Sequence, residues 1–325
     1  RGSRIACLMS PSIDVLTNIL AIFKLNATYI PIDPTFPAQR INMLLDDIKP
    51  LVILRNNNSL ENLVDATAVI INVDNPLLRL TDHADHNIDT EYCATNTAYI
   101  FYTSGTTGKP KGVVASYKNL SQYIRSAQSQ YRITADDTMA CCARFSFSIS
   151  MFELIFPLTY GAKVQLLSRE HILNLEEMST TLRQISFLHM GPSLLKMLLA
   201  HIERTQTDLS VFSGLRHLSS GGDMVAISTL KSARNLFPNA EIFVIYGCSE
   251  VSCMGCTWPI PKTGVLTKTY IGGAGSAKYN DLMTGLIFGD HKVIKENRVK
   301  TVSTPGGTGA LRVAAELIAR CKKGA

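Results

Sequence analysis

Short, uninterrupted apolar runs alternate along this chain with stretches whose apolar residues recur every three or four positions, and that alternation constrains the fold more than any other feature. Residues 12–25 set Val15, Leu16, Ile19, Leu20 and Phe23 on one helical face. Thr28-Tyr-Ile-Pro-Ile-Asp33 then reads as a strand closed by Asp33-Pro34. Residues 38–48 return to helical spacing before Leu51-Val-Ile-Leu54 reads as the next strand. Apolar runs at 68–73, 98–102, 163–167 and 241–246 continue the series. A strand that is apolar at successive positions has both faces covered, so the pattern predicts an α/β fold of layered, mostly parallel sheets between helices.

Composition narrows the function classes. With 325 residues, 46% of them hydrophobic, the chain has enough apolar material for one large or two ordinary domains, which excludes general disorder. The net charge of +6 is not spread evenly: residues 1–262 carry 22 charges of each sign, and residues 263–325 carry ten basic against four acidic residues. That asymmetry predicts a boundary near 262 and argues against a nucleic-acid groove along the whole molecule. The eight cysteines are scattered, as in a reducing, cytoplasmic setting. The longest apolar stretch, residues 13–23, is interrupted by Asp14, Thr17 and Asn18, so no membrane partner is expected. The pattern from Arg4 already reads as domain interior, which predicts a natural sequence that continues upstream.

The most specific motif follows the apolar run ending at Tyr102: Thr103-Ser-Gly-Thr-Thr-Gly-Lys-Pro-Lys-Gly112. Glycines let backbone amides curl round an anion, hydroxyls add donors, and lysines supply countercharge for a polyphosphate. Only two residues separate Gly105 from Gly108-Lys109, so this is not a Walker loop. The bland alternative is a polar strand-to-helix connection.

The string resembles the phosphate-binding signature of adenylate-forming enzymes, and more closely of nonribosomal peptide synthetase adenylation domains. Phe23-Lys-Leu-Asn-Ala-Thr-Tyr-Ile-Pro-Ile-Asp33 and Phe147-Ser-Ile-Ser-Met-Phe-Glu153 are similar to the second and fourth core motifs. Ser220-Gly-Gly-Asp223 resembles the Gly-Gly-Glu turn, and Tyr246-Gly-Cys-Ser-Glu250 the Tyr-Gly-Pro-Thr-Glu motif, so the resemblance covers residues 1–262. It implies ATP-dependent activation of a carboxylic acid as an acyl adenylate, followed by transfer to a phosphopantetheinyl carrier-protein thiol. By this resemblance Thr103, Ser104, Gly105, Thr106, Thr107, Gly108, Lys109 and Lys111 embrace the ATP phosphates. Gly221, Gly222 and Tyr246 border the adenine, and Glu250 helps hold Mg²⁺; Tyr246 also fits a plain core aromatic at a strand end. Lys111 and Glu250 are the implied catalytic pair.

The same alignment gives an acid pocket of Ser148, Ile149, Phe152, His189, Leu218, Ser220, Ile245, Cys253 and Met254. Amino-acid-activating members carry an aspartate for the substrate ammonium where this chain has Ser148. A hydroxyl cannot balance a desolvated ammonium, which costs roughly several kcal/mol unpaired. The expected substrate therefore lacks a conventional α-ammonium group, as a hydroxy, keto, aryl or β-amino acid does. His189 is either a contact to a polar substrate group or a satisfied structural residue. Cys248, Cys253 and Cys256 show a C-x₄-C-x₂-C spacing, but Cys248 falls inside the adenine motif and Cys253 on a pocket position, so no metal cluster is expected.

Beyond residue 262 the sequence resembles another family. Thr267-Lys-Thr-Tyr-Ile-Gly-Gly273, Tyr279-Asn-Asp-Leu282, Leu286-Ile-Phe-Gly289 and Thr304-Pro-Gly-Gly-Thr-Gly-Ala-Leu-Arg312 are similar to the early part of aspartate and aromatic aminotransferases. That resemblance implies pyridoxal phosphate with Gly306, Gly307 and Thr308 at its phosphate, on an incomplete aminotransferase-like tail. A glycine-rich helix start without a ligand explains the same residues. Neither the adenylation family's ribose-binding aspartate nor its C-terminal catalytic lysine region is recognised after residue 262, so impaired turnover is expected. An inert or nucleotide-binding-only chimera is the alternative.

Overall fold

The computed structural model describes residues 2–56, 68–75, 86–88, 91–104, 109–264 and 266. All of these but residue 266 belong to one unit, which ends at Gly264, and the aminotransferase-like motifs from Thr267 onward lie outside the described residues. In chain order the elements begin with β1 (Arg4–Leu8), α1 (Ile13–Lys24), β2 (Thr28–Ile32), α2 (Ala38–Ile48), β3 (Val52–Arg55) and β4 (Val69–Asn72). Next come β5 (Thr97–Thr103), β6 (Lys111–Ser116), α3 (Tyr117–Tyr131), β7 (Thr138–Cys141), α4 (Ser150–Thr159) and β8 (Lys163–Leu166). The series ends with α5 (Arg169–Leu173), α6 (Leu175–Thr181), β9 (Phe187–Met190), α7 (Pro192–Thr205), β10 (His217–Gly221), α8 (Ile227–Leu236), β11 (Glu241–Tyr246) and β12 (Cys256–Ile260).

Local chemistry explains the boundaries. Ser116 starts α3 with a capping box: its hydroxyl accepts from the Asn119 amide at 3.1 Å, and Asn119 Oδ1 accepts from the Ser116 amide at 3.0 Å. α2 stops at Lys49, which adopts a left-handed φ of 46°, one residue before Pro50. Pro192 occupies the first turn of α7, where its missing N–H costs no hydrogen bond.

Two six-stranded sheets result, ordered β4-β3-β1-β2-β5-β6 and β12-β11-β10-β9-β7-β8. The layered, mostly parallel architecture agrees with the sequence pattern, and β2, β9 and β10 are buried at every position. Two antiparallel pairs were not foreseen. β5 is parallel to β2 but antiparallel to β6, and β11 is parallel to β10 but antiparallel to β12. The glycine-rich motif therefore joins two strands of a hairpin rather than a strand to a helix.

Strand alternation distributes the core. Ile5 and Cys7 of β1 join the large cluster that also takes in Tyr29, Tyr99, α3, α4 and Met139, Phe187 and Phe243 of the second sheet. Their neighbours Ala6 and Leu8 face the other way and pack with Ile41, Leu44, Leu45 and Ile48 of α2. The second sheet is pinned at one end by Arg216, whose guanidinium donates twice to the buried Asp137 carboxylate. The same carboxylate accepts from the Thr134 amide at 2.8 Å and the Ser186 hydroxyl at 2.7 Å.

Candidate functional site

The winding of the second sheet reverses between β7 and β9: the chain proceeds outward to β8 on one side and through β10 and β11 on the other. Open α/β sheets place ligands outside the carboxyl ends of their strands at such a point. A cavity of about 460 Å³ lies there. The segment after β7 supplies Cys142, Ala143, Arg144, Phe147, Ser148 and Ile149, and β9 supplies His189 and Met190. Gly221 and Gly222 border it from the end of β10, and Ile245, Gly247, Cys248, Ser249 and Cys253 from the end of β11.

Close backbone approach shapes this wall. A Cβ on Gly221 would collide with the Ile245 carbonyl, and one on Gly247 with the Cys253 carbonyl. Cys253 itself holds a φ of 87°, uncommon for a residue with a side chain, and its amide donates to the Cys248 carbonyl at 3.0 Å.

Glu153 of α4 is the acid at the cavity, and it is committed elsewhere. Its Oε2 accepts from the Cys142 amide at 2.6 Å and the Ala143 amide at 2.7 Å, which fixes the course of the chain leaving β7. Burial pushes its carboxyl up to about 8 against the opposing pull of those amides. Arg144 donates to Asp33 Oδ2 at 3.4 Å, tying the segment after β7 to the end of β2. His189 bonds through Nδ1 to the Ser219 hydroxyl at 2.9 Å, and burial lowers its pKa to about 4, so it presents a neutral imidazole. The satisfied histidine and the cavity-lining histidine are thus one residue.

Five of the nine pocket positions expected from sequence meet at the cavity: Ser148, Ile149, His189, Ile245 and Cys253. Four do not. Phe152 lies in the core, stacked on Phe156 at 5.3 Å and edge-on to His189 at 6.0 Å. Leu218 and Ser220 occupy the register face of β10 opposite to Ser219, and the Ser220 hydroxyl donates to the Met190 carbonyl at 2.8 Å. Met254 borders a separate polar groove against α3. Sequence reasoning missed Arg144, Glu153 and Gly191 among the lining residues. A lone acid in the otherwise apolar run of α4 was the available signal for Glu153.

Of the residues in the glycine-rich motif, Thr103 and Lys111 are register partners at the loop end of the β5–β6 hairpin. Ser104, Lys109 and Lys111 are exposed. Gly105, Thr106, Thr107 and Gly108 lie outside the described residues, as do Gly306, Gly307 and Thr308. Strand β6 contacts the turn Ser249–Val251, so the hairpin carrying Lys111 and the turn carrying Glu250 are neighbours. Tyr246 is exposed at the end of β11, which removes the core-aromatic alternative. Cys253 is buried, with its thiol pushed up to about 12, while Cys248 and Cys256 are exposed. Among the described residues no group of three or more His, Cys, Asp or Glu side chains could hold a metal, and no helix is long and apolar enough to cross a membrane.

Fold, switch-point cavity and hairpin together define a layered α/β protein with a small-molecule-sized cleft at the carboxyl ends of its second sheet. The sequence matches the AMP-binding enzyme family over residues 1–320, and the chain belongs to that family. It is similar to the dimodular nonribosomal peptide synthase of Bacillus subtilis (strain 168), 28% identical over 299 residues that cover 84% of this chain and 12% of the relative. Tyrocidine synthase 3 of Brevibacillus parabrevis is 28% identical over 260 residues, covering 79% of this chain and 4% of the relative. The crystal structure of the nonribosomal peptide synthetase FmoA3 shares the fold with a TM-score of 0.72 at 21% identity, over 82% of this chain and 28% of that one. Its AMPPNP-bound form gives 0.72 at 20% identity, over 81% and 28%. The chain thus spans a small part of the length of the relatives it matches.

Proposed function

We propose that this chain forms the greater part of a site that activates a carboxylic acid with ATP. The acid's carboxylate attacks the α-phosphorus, pyrophosphate leaves, and the acyl adenylate then passes to a phosphopantetheinyl thiol on a carrier protein. The observation that carries the reading is the convergence at one cavity of residues from three separated motifs: Ser148 and Ile149, Gly221 and Gly222, and Ile245, Gly247, Cys248 and Ser249. The family match supports the nucleotide chemistry.

Lys111 and Glu250 serve the phosphates in this reading. Mg²⁺ suits a single exposed carboxylate, because it keeps several waters and takes its remaining ligands from phosphate oxygens. Glu250 is exposed on its turn and makes no ion pair with a described residue. When bound, the cation would neutralise charge as pyrophosphate departs. Titration of the chain with AMPPNP and Mg²⁺ tests this part: the reading expects saturable binding that weakens about tenfold or more in Lys111→Ala and in Glu250→Ala. Binding unchanged in both variants would overturn it.

The acid is one without a conventional α-ammonium group. The Ser148 hydroxyl lies 3.2 Å from that of Ser249, and Glu153 is held by two amides and kept largely protonated by burial. His189 is neutral. An ammonium in this cavity therefore has no free anion to meet, whereas a hydroxyl or keto oxygen finds serine donors. The aminotransferase-like reading of the tail gains no support, since the AMP-binding match runs to residue 320 across it. We attach no pyridoxal phosphate chemistry to the chain.

A further inference from the structure

Three thiols line the switch-point cavity: Cys142 after β7, and Cys248 and Cys253 after β11. The adenylation reading uses none of them as a nucleophile. They differ in what they can do. Burial, and after it the Glu153 carboxyl, holds the Cys142 thiol well above the ordinary thiol range, and burial pushes Cys253 up to about 12. Cys253 is only 5% exposed, and its sulfur accepts from the Tyr123 hydroxyl at 3.7 Å. The thiolate is the attacking form, so neither is a ready nucleophile. Cys248 is exposed, and its Sγ has no hydrogen-bond partner among the described residues.

The backbone fixes where Cys248 stands. Its carbonyl accepts from the Val251 amide at 3.2 Å and the Cys253 amide at 3.0 Å, and the preceding Gly247 has no room for a Cβ. On one side Cys248 adjoins Ser249, whose hydroxyl meets that of Ser148. On the other, the end of β11 runs beside the end of β10, with Ile245 paired to Gly221. In the adenylation reading the serine side takes the acid and the glycine side the nucleotide. On that reading the Cys248 thiol borders the place where the acyl group and the α-phosphate are joined.

We propose that Cys248 is an acyl acceptor within the chain: an acyl adenylate held in this cavity transfers its acyl group to the Cys248 sulfur. The inference rests on the adenylation reading and adds to it a self-acylation that needs no carrier protein. The sulfur attacks the carbonyl carbon and an S–C bond forms. The C–O bond to the α-phosphate breaks, AMP leaves with the electron pair, and the thiol proton passes to water. The product is a thioester on Cys248, which occupies the cavity until water or a second thiol removes the acyl group. Holding both reactants at one wall makes the step effectively unimolecular and separates it from random acylation of a surface thiol. Cys93 and Cys256 are exposed as well, but neither borders this cavity, and Cys256 lies on the groove beside α3.

The test adds benzoyl adenylate, an aryl acyl donor without an α-ammonium group, to the unmodified chain and maps the acylated residues by peptide mass spectrometry. Release by neutral hydroxylamine marks thioesters. Cys248 is expected to be acylated at least about tenfold faster than Cys93, Cys256 or Cys248 itself in the urea-unfolded chain. Benzoyl-adenosine sulfamate, whose acyl–nitrogen bond resists attack, should suppress the labelling, and Cys256→Ala should leave it unchanged. Calorimetry measures sulfamate binding separately. If the sulfamate binds but Cys248 is acylated no faster than the other exposed thiols, or the label settles on another residue, the proposal is overturned and the adenylation reading stands. If the sulfamate does not bind, the adenylation reading fails and this proposal falls with it.

Discussion

Ser148 and Ser249 meet hydroxyl to hydroxyl at 3.2 Å, joining the segment that leads into α4 to the turn that follows β11. The pair spans two elements that sequence places 101 residues apart. In the proposed reading, it puts neutral oxygen where a substrate ammonium would need a carboxylate.

Replacing Ser148 by aspartate introduces a nearly buried charge with no cation beside it. The variant should lose about 1–3 kcal/mol of stability, measured by urea denaturation, and should recover part of it when an amino acid is added. A variant as stable as the parent, and indifferent to amino acids, would show that position 148 does not face the substrate.

Glu153 gives a signed pH dependence. Its folded carboxyl titrates near 8, against about 4.3 in an unfolded chain, so between those values the folded state binds the extra proton. Stability from this group therefore falls as pH rises from about 4.3 to about 8. Glu153→Gln should flatten that slope relative to the parent while its amide oxygen still accepts from Cys142 and Ala143. Parallel stability curves for the two proteins over this window would refute the assignment.

Asp137 works in the opposite sense. Burial opposes its ionisation, but hydrogen bonds from Arg216, Ser186 and Thr134 prevail and hold its pKa below the usual carboxylate range. Its contribution is present above about 3.9 and is lost as pH falls through the depressed folded value. Arg216→Leu should cost about 2–3 kcal/mol at neutral pH, less than a fully buried pair because Arg216 is half exposed. The deficit should shrink in acid as the carboxylate is protonated; a pH-independent deficit would argue for lost packing instead.

Two glycines separate fit from tolerance. Gly221→Ala drives a Cβ into the Ile245 carbonyl at the cavity wall and should cost about 2–3 kcal/mol, whereas Gly214→Ala, with open space around the added carbon, should stay within about 0.5 kcal/mol. Equal thermal melts for both variants would contradict the close approach of β10 and β11.

Much of the fold was legible because buried parallel strands write themselves as apolar runs. β2, β3, β4, β5, β8 and β11 fall on the runs read from sequence, and α1 and α2 on the periodic stretches. β9 and β10 were not recognised as strands, because His189, His217, Ser219 and Ser220 interrupt their apolar character. Two of those interruptions are resolved in three dimensions by the His189–Ser219 bond, and a third by the bond from Ser220 to Met190. The site shows the same division. Motif residues at strand ends were found, while Arg144 was not, because its place depends on two sheets meeting through Asp33. Leu218 and Ser220 were placed in the pocket because a linear alignment does not register which face of a strand a residue occupies.

The proposed selection of acids without an α-ammonium group by this cavity is tested, without requiring turnover, by binding of matched acyl-adenosine sulfamates. The pair should differ only at the α-carbon, one carrying a hydroxyl and the other an ammonium group, and calorimetry with the unmodified chain should find the hydroxy compound at least about tenfold tighter. Tighter binding of the amino compound would contradict the claim, and with it the role given to Ser148.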